Sequence, residues 1–453
     1  MSNKNQIEFP CSSLPEQPAL VRLVGLYPQQ QEGLWMQRVR VTGGVLSPRQ
    51  WLALGRIARD MTPGTPLHLT TRQDVQVHDV APERVGEIHR ALAETGLTGV
   101  GAGGDSLRNI VVCPCSGLVE GSLELTALAG QIQRTLEAMD GIRTLPRKFK
   151  ISMSCRESCG QPWINDLGLV ARKRDGRWGF QVVAGGSLGP RPGTGMEVFE
   201  WIPAEEVLAL ATASIEIFAA HGDREQRSRA RLRHVRERIG DDVFSKLLRE
   251  TFARTKSQQS WPVPELRPAQ GGFAERVVLT FANGDLTPEA AEALAELAES
   301  EQVRVRIDTQ HRVIIFGPDA GKLRRSVSGL AALAEAAKPQ TNVVACPGTR
   351  WCGRALVDTN SLADRLRVEL EGKTPSGPTV CLSGCPNGCA QSTVAVVGIV
   401  GRLVTRDGRK VEVYDLWTGG GLGQNPRLGT VVAQGLSAEG LLKAVVGAFP
   451  QAG

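Results

Sequence analysis

Long hydrophobic runs are missing from this sequence: the longest, around Val394–Val400, is far too short to span a bilayer. The opening residues, MSNKNQIEFPCSS, lack a basic segment followed by an apolar one, so no secretory leader is expected. A strong charge excess is missing as well. Lys+Arg number 53 against 47 Asp+Glu, a net +6 that is too mild for a nucleic-acid footprint, although it would suit an acidic partner or an anionic ligand. No G-x-G-x-x-G or P-loop opens a helix after a strand, which excludes a flavin or nicotinamide domain of the usual kind. These absences predict a cytoplasmic protein that binds neither membrane nor nucleic acid and draws any electrons from a separate donor.

What the chain does have is cysteine. Of ten cysteines, nine fall within 113–159 and 346–389, leaving only Cys11 apart. A reducing cytoplasm does not maintain disulfide frameworks, so such clustering predicts metal or redox chemistry. The 453 residues, 41% of them hydrophobic, suffice for two to four domain cores.

The chain is also written twice. GGVLSP (43–48) resembles NGDLTP (283–288), and TTRQDVQV (70–77) faces IDTQHRVI (307–314). NIVVCP (109–114) faces NVVACP (342–347), and SCRESCGQPWINDLGLV (154–170) faces GCPNGCAQSTVAVVGIV (384–400). The matches keep their order while the offset falls from 240 through 237 and 233 to 230, as a duplicated fold with shortened loops would give. Each copy is expected to open with an alternating strand (Met36–Val41; Val277–Phe281), a Gly turn, and a helix begun by Ser47-Pro48 or Thr287-Pro288, an N-cap followed by proline. A second strand (Leu67–His78; Val303–Phe316) and another helical segment complete one α+β half-domain per copy. Next come an apolar strand ending at Cys113 or Cys346, a helix, and a strand associated with a C-x3-C pair. The run DREQRSRARLRHVRERIG (223–240) reads as a solvated helix between the copies, with no part in a site.

In the second copy, Cys346-x5-Cys352 and Cys385-x3-Cys389 bring four thiolates from two loops, the requirement of an iron–sulfur cube. Zinc knuckles more often use C-x2-C pairs, and the turn formers of C-P-N-G-C let Gly388 bring amide N–H groups to sulfur, which favours a cluster. Cys381 pairs with Ile151 of the first copy and so reads as a buried thiol outside the set. The first copy offers Cys113-x-Cys115 and Cys155-x3-Cys159, without the x5 spacing and with Arg156 and Glu157 inside its pair. Relics of duplication are the expectation there, a second cluster the alternative.

Together, C-x5-C followed by G-C-P-N-G-C, with TTRQDVQVH, GGDSLRNIVVCP and LPRKFK, resembles the siroheme-dependent sulfite and nitrite reductases over roughly residues 20 to 430. The resemblance implies an α+β, internally duplicated, pseudo-twofold nitrite/sulfite reductase fold. Two ferredoxin-like half-domains (15–90 and 262–335) would join into one unit beside two larger siroheme/Fe–S domains (100–240 and 338–453). It implies siroheme and a [4Fe–4S] cluster, with Cys346, Cys352, Cys385 and Cys389 as ligands and Cys389 bridging to the siroheme iron. It further implies an anion-binding quartet of Arg38, Arg108, Lys148 and Lys150, and siroheme contacts from Arg72, Gln76, His78, Asn387 and Arg427. Strand periodicity would turn Lys148 and Lys150 to one side and Phe149 to the other, and would put Arg72, Gln76 and His78 on one face. Some ferredoxin-dependent members carry a tyrosine–cysteine pair beside siroheme. Tyr27 resembles that tyrosine, but Ser106 stands at the cysteine position, so no crosslink is expected.

The activity implied is six-electron reduction of sulfite to sulfide, with electrons from a ferredoxin or a flavoprotein subunit, and with nitrite reduction to ammonia as the alternative. Plant-type nitrite reductases resemble R-K-W-N where this chain has Arg147-Lys148-Phe149-Lys150, and a second lysine suits dianionic sulfite better than nitrite. Two other readings are a precorrin-3B synthase-like enzyme of the cobalamin pathway, which the intact Arg/Lys quartet disfavours, and a non-catalytic electron-transfer subunit.

Overall fold

A computed structural model describes residues 18–269, 271–273, 275–300, 302–331, 342–371, 379–424 and 426–449; Cys11 lies outside them. Each half-domain helix starts as its sequence requires. Ser47 accepts from the Gln50 amide at 3.3 Å, and the Gln50 side chain accepts from the Ser47 amide at 2.9 Å, so Pro48–Met61 opens with a closed capping box. Thr287 caps Pro288–Ala298 by accepting from the Ala290 amide. The two helices pack together at Gly55, where a Cβ would lie 3.0 Å from Glu292 Cγ and 3.1 Å from the Pro288 carbonyl oxygen. Both halves bury into a single core, in which Leu54, Leu67 and Val75 pack with Leu294, Ile307 and Val313. Asp285–Leu286 also pairs antiparallel with Leu67–Leu69 across the halves. The two ferredoxin-like halves therefore form one unit.

The expected second strand of each half is in fact two strands. Leu67–Leu69 and Val75–Val80 form an antiparallel pair around a turn in which Gln73 is left-handed (φ 64°), and Arg304–Ile307 and Arg312–Gly317 do the same around His311 (φ 62°). Short side chains close both turns: the Thr70 hydroxyl accepts from the Arg72 and Asp74 amides, and the Asp308 carboxylate from those of Gln310 and Arg312. Apolar alternation continues through each turn, and that continuity conceals the break.

Each larger domain is built on a five-stranded mixed sheet with the same connectivity. In the first, Val111–Val112, Ile151–Ser154 and Leu167–Arg174 run parallel, and Arg177–Ala184 and Met196–Pro203 add antiparallel. In the second, Asn342–Ala345, Thr379–Ser383 and Val397–Arg406 run parallel, followed by antiparallel Arg409–Thr418 and Thr430–Leu436. In both, the cysteine loops leave the carboxyl ends of neighbouring parallel strands, where such sheets place their ligands. The register corrects one equivalence. Ser154 lies opposite Val170 and Ser383 opposite Val400, while Ser152 and Cys381 each face a glycine, so Cys381 matches Ser152 and not Ile151. The second copy carries one additional residue, Gly384, between strand and loop.

The charged run 223–240 is not a solvated helix. It contains the turn Arg227–Arg229 and the short helix Leu232–Ile239, with Arg231, Leu232, Arg233 and Val235 buried. The following helix, Asp241–Ser257, carries the first larger domain's core on to Phe244, Leu248 and Phe252. Leu232, Val235 and Ile239 form an apolar stripe that the surrounding arginines mask in the sequence. No described helix is long and apolar enough to cross a membrane.

Candidate active site

Arg38 lies in the strand Trp35–Val39, paired with Gln76 of the neighbouring strand. Its guanidinium stands over the Tyr27 ring at 5.1 Å and donates to the Ala102 carbonyl at 3.2 Å. Arg108 donates to the same carbonyl at 2.8 Å and to that of Gly104 at 2.9 Å. The Arg108 amide donates to the Phe149 carbonyl at 2.9 Å, which fixes Arg108 beside the lysines. Phe149 is wholly buried in the first larger core while Lys148 and Lys150 are partly open, the alternation expected of them.

The electrostatics of this group are those of cations held together with too little compensation. Burial pushes Lys148 down to about 7, and the guanidiniums of Arg231 and Arg108 push the same way. Burial, then Arg72, Lys148 and Arg231, holds Lys150 well below the ordinary lysine range. Cys389 acts in the opposite direction on both.

Cys389, an exposed thiol, is the pivot of the site. It acts electrostatically on Cys346, Cys352 and Cys385 as well as on the two lysines. Amide donors converge on these thiols. The Gly384 N–H donates to Cys346 Sγ at 3.1 Å, those of Arg354 and Ala355 serve Cys352, and the backbone and side chain of Asn387 serve Cys385. Gly388, left-handed at φ 66°, turns the loop, but its own amide donates to the Cys385 carbonyl at 3.3 Å; the amide that reaches sulfur is that of Asn387. Burial pushes Cys346 up to about 12 and Cys385 up to about 11, and Cys389 pushes both the same way. Among the described residues, no three His, Cys, Asp or Glu side chains are grouped to hold a single metal ion. Four thiols interacting through space, with amide donors at sulfur, fit a cluster of several irons.

Arg72 lies in the turn before the strand, so the shared face holds only for Gln76 and His78. Its guanidinium donates to Asn165 Oδ1 at 2.9 Å and to the Asn109 carbonyl at 2.6 Å, and burial lowers it to about 10. The buried Nε atoms of Arg72 and Arg108 have no partner, as donors awaiting an anionic ligand would not. The hydrogen-bond pattern orients the Gln76 amide with its oxygen on Arg38 Nη2 and Nε, at 2.9 and 3.0 Å, and its nitrogen donating to His78 Nε2 at 3.0 Å. His78 then donates from Nδ1 to Gln29 Oε1 at 3.1 Å and stacks on Trp351 at 4.1 Å. His78 is thus enclosed behind Gln76, and the two brace Arg38. Arg427 is exposed, donating to the Gly419 carbonyl of its own loop at 2.6 Å. Tyr27 accepts from the Gly104 amide at 3.2 Å and Ser106 donates to the Gly103 carbonyl at 2.8 Å, so both meet one turn, as the tyrosine–cysteine comparison leads one to expect.

Three contributors escaped the sequence. Arg231 pairs with the fully buried Asp166 at 2.6 Å, and Asp166 also accepts from the Lys150 amide at 2.8 Å. Leaving one member of such a buried pair alone costs about 3–5 kcal/mol. Thr71 donates to the Cys389 carbonyl at 2.7 Å, tying the first half-domain to the cysteine loop. Arg231 lay hidden in a charge run, whereas Asp166, a carboxylate inside an apolar stretch, was a signal that could have been read.

Thiols on one side and lysines on the other combine groups that can hold an iron–sulfur cluster with groups that can hold an anion. The family model for the nitrite and sulphite reductase 4Fe-4S domain matches residues 103–256 and 336–452, and that for the nitrite/sulfite reductase ferredoxin-like half domain matches 27–95. The chain belongs to the nitrite and sulfite reductase family, whose cofactors are siroheme and a [4Fe–4S] cluster. It is 30% identical to the assimilatory ferredoxin-dependent nitrite reductase of Haloferax mediterranei, covering 94% of this chain and 81% of that protein. It is 28% identical to sulfite reductase [ferredoxin] 2 of Mycolicibacterium paratuberculosis, covering 90% and 80%. The solved structure of the Mycobacterium tuberculosis NirA protein matches with a TM-score of 0.82 at 26% identity, covering 94% of this chain and 85% of that one.

Proposed function

We propose that this chain reduces sulfite to sulfide, taking electrons singly from a ferredoxin in the cytoplasm, with Cys346, Cys352, Cys385 and Cys389 as the cluster ligands. The observation that carries sulfite over nitrite is the second lysine: Lys150, two residues from Lys148, can take up a proton as a dianion binds and then offers it one more cation than an amide side chain would. Nitrite is the second reading, since similar proteins bear both names.

Siroheme and the cluster would, when bound, supply the one-electron redox chemistry, and Cys346, Cys352, Cys385 and Cys389 are the residues that would hold the cluster. Arg38 and Arg108 hold the anion's oxygens with their guanidinium forks. Gln76, braced by His78, and the Tyr27 ring keep Arg38 in place for this task. Lys148 and Lys150 offset the charge that develops and release protons as oxygen leaves as water, and a lysine near 7 does so more readily than an ordinary one. Arg72 and Arg108, with their unpartnered Nε donors, suit the cofactor's carboxylates or the substrate. Anaerobic turnover with a reduced one-electron dye, comparing sulfite and nitrite at equal concentration, tests the choice. Sulfide release with the higher kcat/KM for sulfite is expected; ammonia from nitrite with no sulfide from sulfite overturns it.

A further inference from the structure

The two repeats meet at a pair of glutamines. Gln161 and Gln391 each stand two residues after the last cysteine of their C-x3-C pair, and their side-chain amides bond to each other: Gln161 Nε2 donates to Gln391 Oε1 at 2.8 Å, and Gln391 Nε2 to Gln161 Oε1 at 3.4 Å. Two threonines of the half-domains flank them, Thr71 and Thr309, each two residues before the left-handed residue of its turn. Here the symmetry breaks. Thr309 accepts from Gln161 Nε2 at 3.4 Å, whereas the Thr71 carbonyl accepts from Gln391 Nε2 at 3.5 Å and the Thr71 hydroxyl donates to the Cys389 carbonyl at 2.7 Å. A second thread runs back to the same turn. The Gln161 carbonyl accepts from Asn165 Nδ2 at 2.7 Å, and Asn165 Oδ1 accepts from Arg72, the neighbour of Thr71, at 2.9 Å. The ring runs from Cys389 through Gln391, Gln161, Asn165 and Arg72 to Thr71, with Gln161 and Thr71 both buried.

We propose that Thr71 and Gln391 are positioning residues that hold Cys389 by its backbone; the inference rests on the reading of Cys389 as a cluster ligand. Cys389 is exposed and follows the exposed Asn387 and the left-handed Gly388, so the direction of its Sγ depends on bonds from outside the loop. The Thr71 hydroxyl fixes the peptide carbonyl of Cys389 itself. Gln391 fixes the exit of the loop. It is left-handed at φ 63°, a conformation that glycine adopts at less cost, and its amide donates to the Gly388 carbonyl at 3.0 Å. A glutamine there gives up backbone ease for a side chain that reaches Gln161 and the Thr71 carbonyl. Arg72 keeps its bonds to Asn165 and to the Asn109 carbonyl without the Thr71 hydroxyl, so removing that hydroxyl acts on Cys389 and not on the cations that hold the anion.

The test compares holoenzymes purified without oxygen, by redox titration and electron paramagnetic resonance of the cluster in the absence of anion, and then by turnover. Thr71→Val keeps the size of the side chain and removes its hydroxyl. It should retain siroheme and cluster, shift the cluster potential and lower kcat by about 10-fold with KM nearly unchanged. Thr71→Ser should restore both. Thr309→Val, the matching change at a threonine bonded to Gln161 and not to Cys389, should leave potential and kcat as they are. Gln391→Gly suits the left-handed backbone, so the shift expected of it belongs to the lost side chain. A Thr71→Val enzyme that only melts lower, with potential and kcat unchanged, overturns the proposal, as does an equal shift in Thr309→Val. Cys389→Ser separates the two ways of failing. If it keeps the cluster signal, Cys389 is no ligand and the proposal falls with that reading; if it loses the signal while Thr71→Val and Gln391→Gly change nothing, the ligand stands and the positioning role falls.

Discussion

The two repeats send equivalent loops from equivalent parallel strands, and one inserted residue is among the differences between those loops. In the first the loop begins directly after Ser154; in the second Gly384 is inserted after Ser383. The amide of that inserted residue donates to Cys346 Sγ. The surroundings diverge as well. The first repeat buries Asp166 to hold Arg231 and the Lys150 amide, whereas the aligned position of the second is the apolar Val396. On the proposed function, one copy supplies the cations Lys148 and Lys150 and the other the cysteines, with Cys389 within electrostatic range of both lysines.

The largest effect should come from breaking the second set. Cys385→Ser is expected to abolish the cluster's visible and paramagnetic signals together with turnover of either anion. Cys381→Ala, four residues earlier, should keep both and lose about 1–2 kcal/mol of stability to the small cavity it leaves in a buried strand. A normal cluster signal in Cys385→Ser would remove that residue from the ligands.

Much of this comparison was legible in the sequence. The repeat, the capped helices at Ser47 and Thr287, and the alternation around Phe149 all rest on local patterns with a fixed physical period, and the structure retains each of them. What escaped depended on long-range pairing. No local pattern distinguishes Arg231, which reaches a carboxylate 65 positions away, from the solvated arginines beside it. The turns at Gln73 and His311 were hidden because neither is glycine, although both are left-handed. Register between strands, which reassigned Cys381, is likewise a tertiary quantity: a gap of one residue within a repeat is invisible until the strands are paired.

An intermediate effect is expected on the cationic side. Lys150→Met should lower kcat/KM for sulfite by about 100-fold and for nitrite by less, since a dianion loses more when one cation is removed. Lys148 supplies the pH dependence. Its charged form binds the anion, and because burial sets it at about 7, the ammonium is present below that pH and lost above it. The kcat/KM for sulfite should fall as pH rises through about 7, over and above the titration of the substrate. Lys148→Met should flatten that part of the profile, and an unchanged profile in the variant would assign the titration elsewhere.

The smallest change tests the inserted residue itself. In Gly384→Ala the new Cβ would lie 3.1 Å from Thr359 Cγ2 and 3.4 Å from Gly348 Cα, tighter than an ordinary contact. Thr359 cannot easily give way, because its hydroxyl donates to the Cys346 carbonyl. The loop must then lift by a few tenths of an ångström, stretching the Gly384 N–H bond to Cys346 Sγ. Overpacking of this size costs about 1 kcal/mol or slightly more. Loss of a donor at sulfur makes the cluster harder to reduce, since such hydrogen bonds favour the more negative state. The expected variant keeps siroheme and cluster, melts a few degrees lower, and shows a more negative cluster potential by redox titration. An unchanged melting temperature with an unchanged potential would show that Gly384 spaces the loop without tuning it, and the difference between the repeats would then rest on the Cys346-x5-Cys352 segment alone.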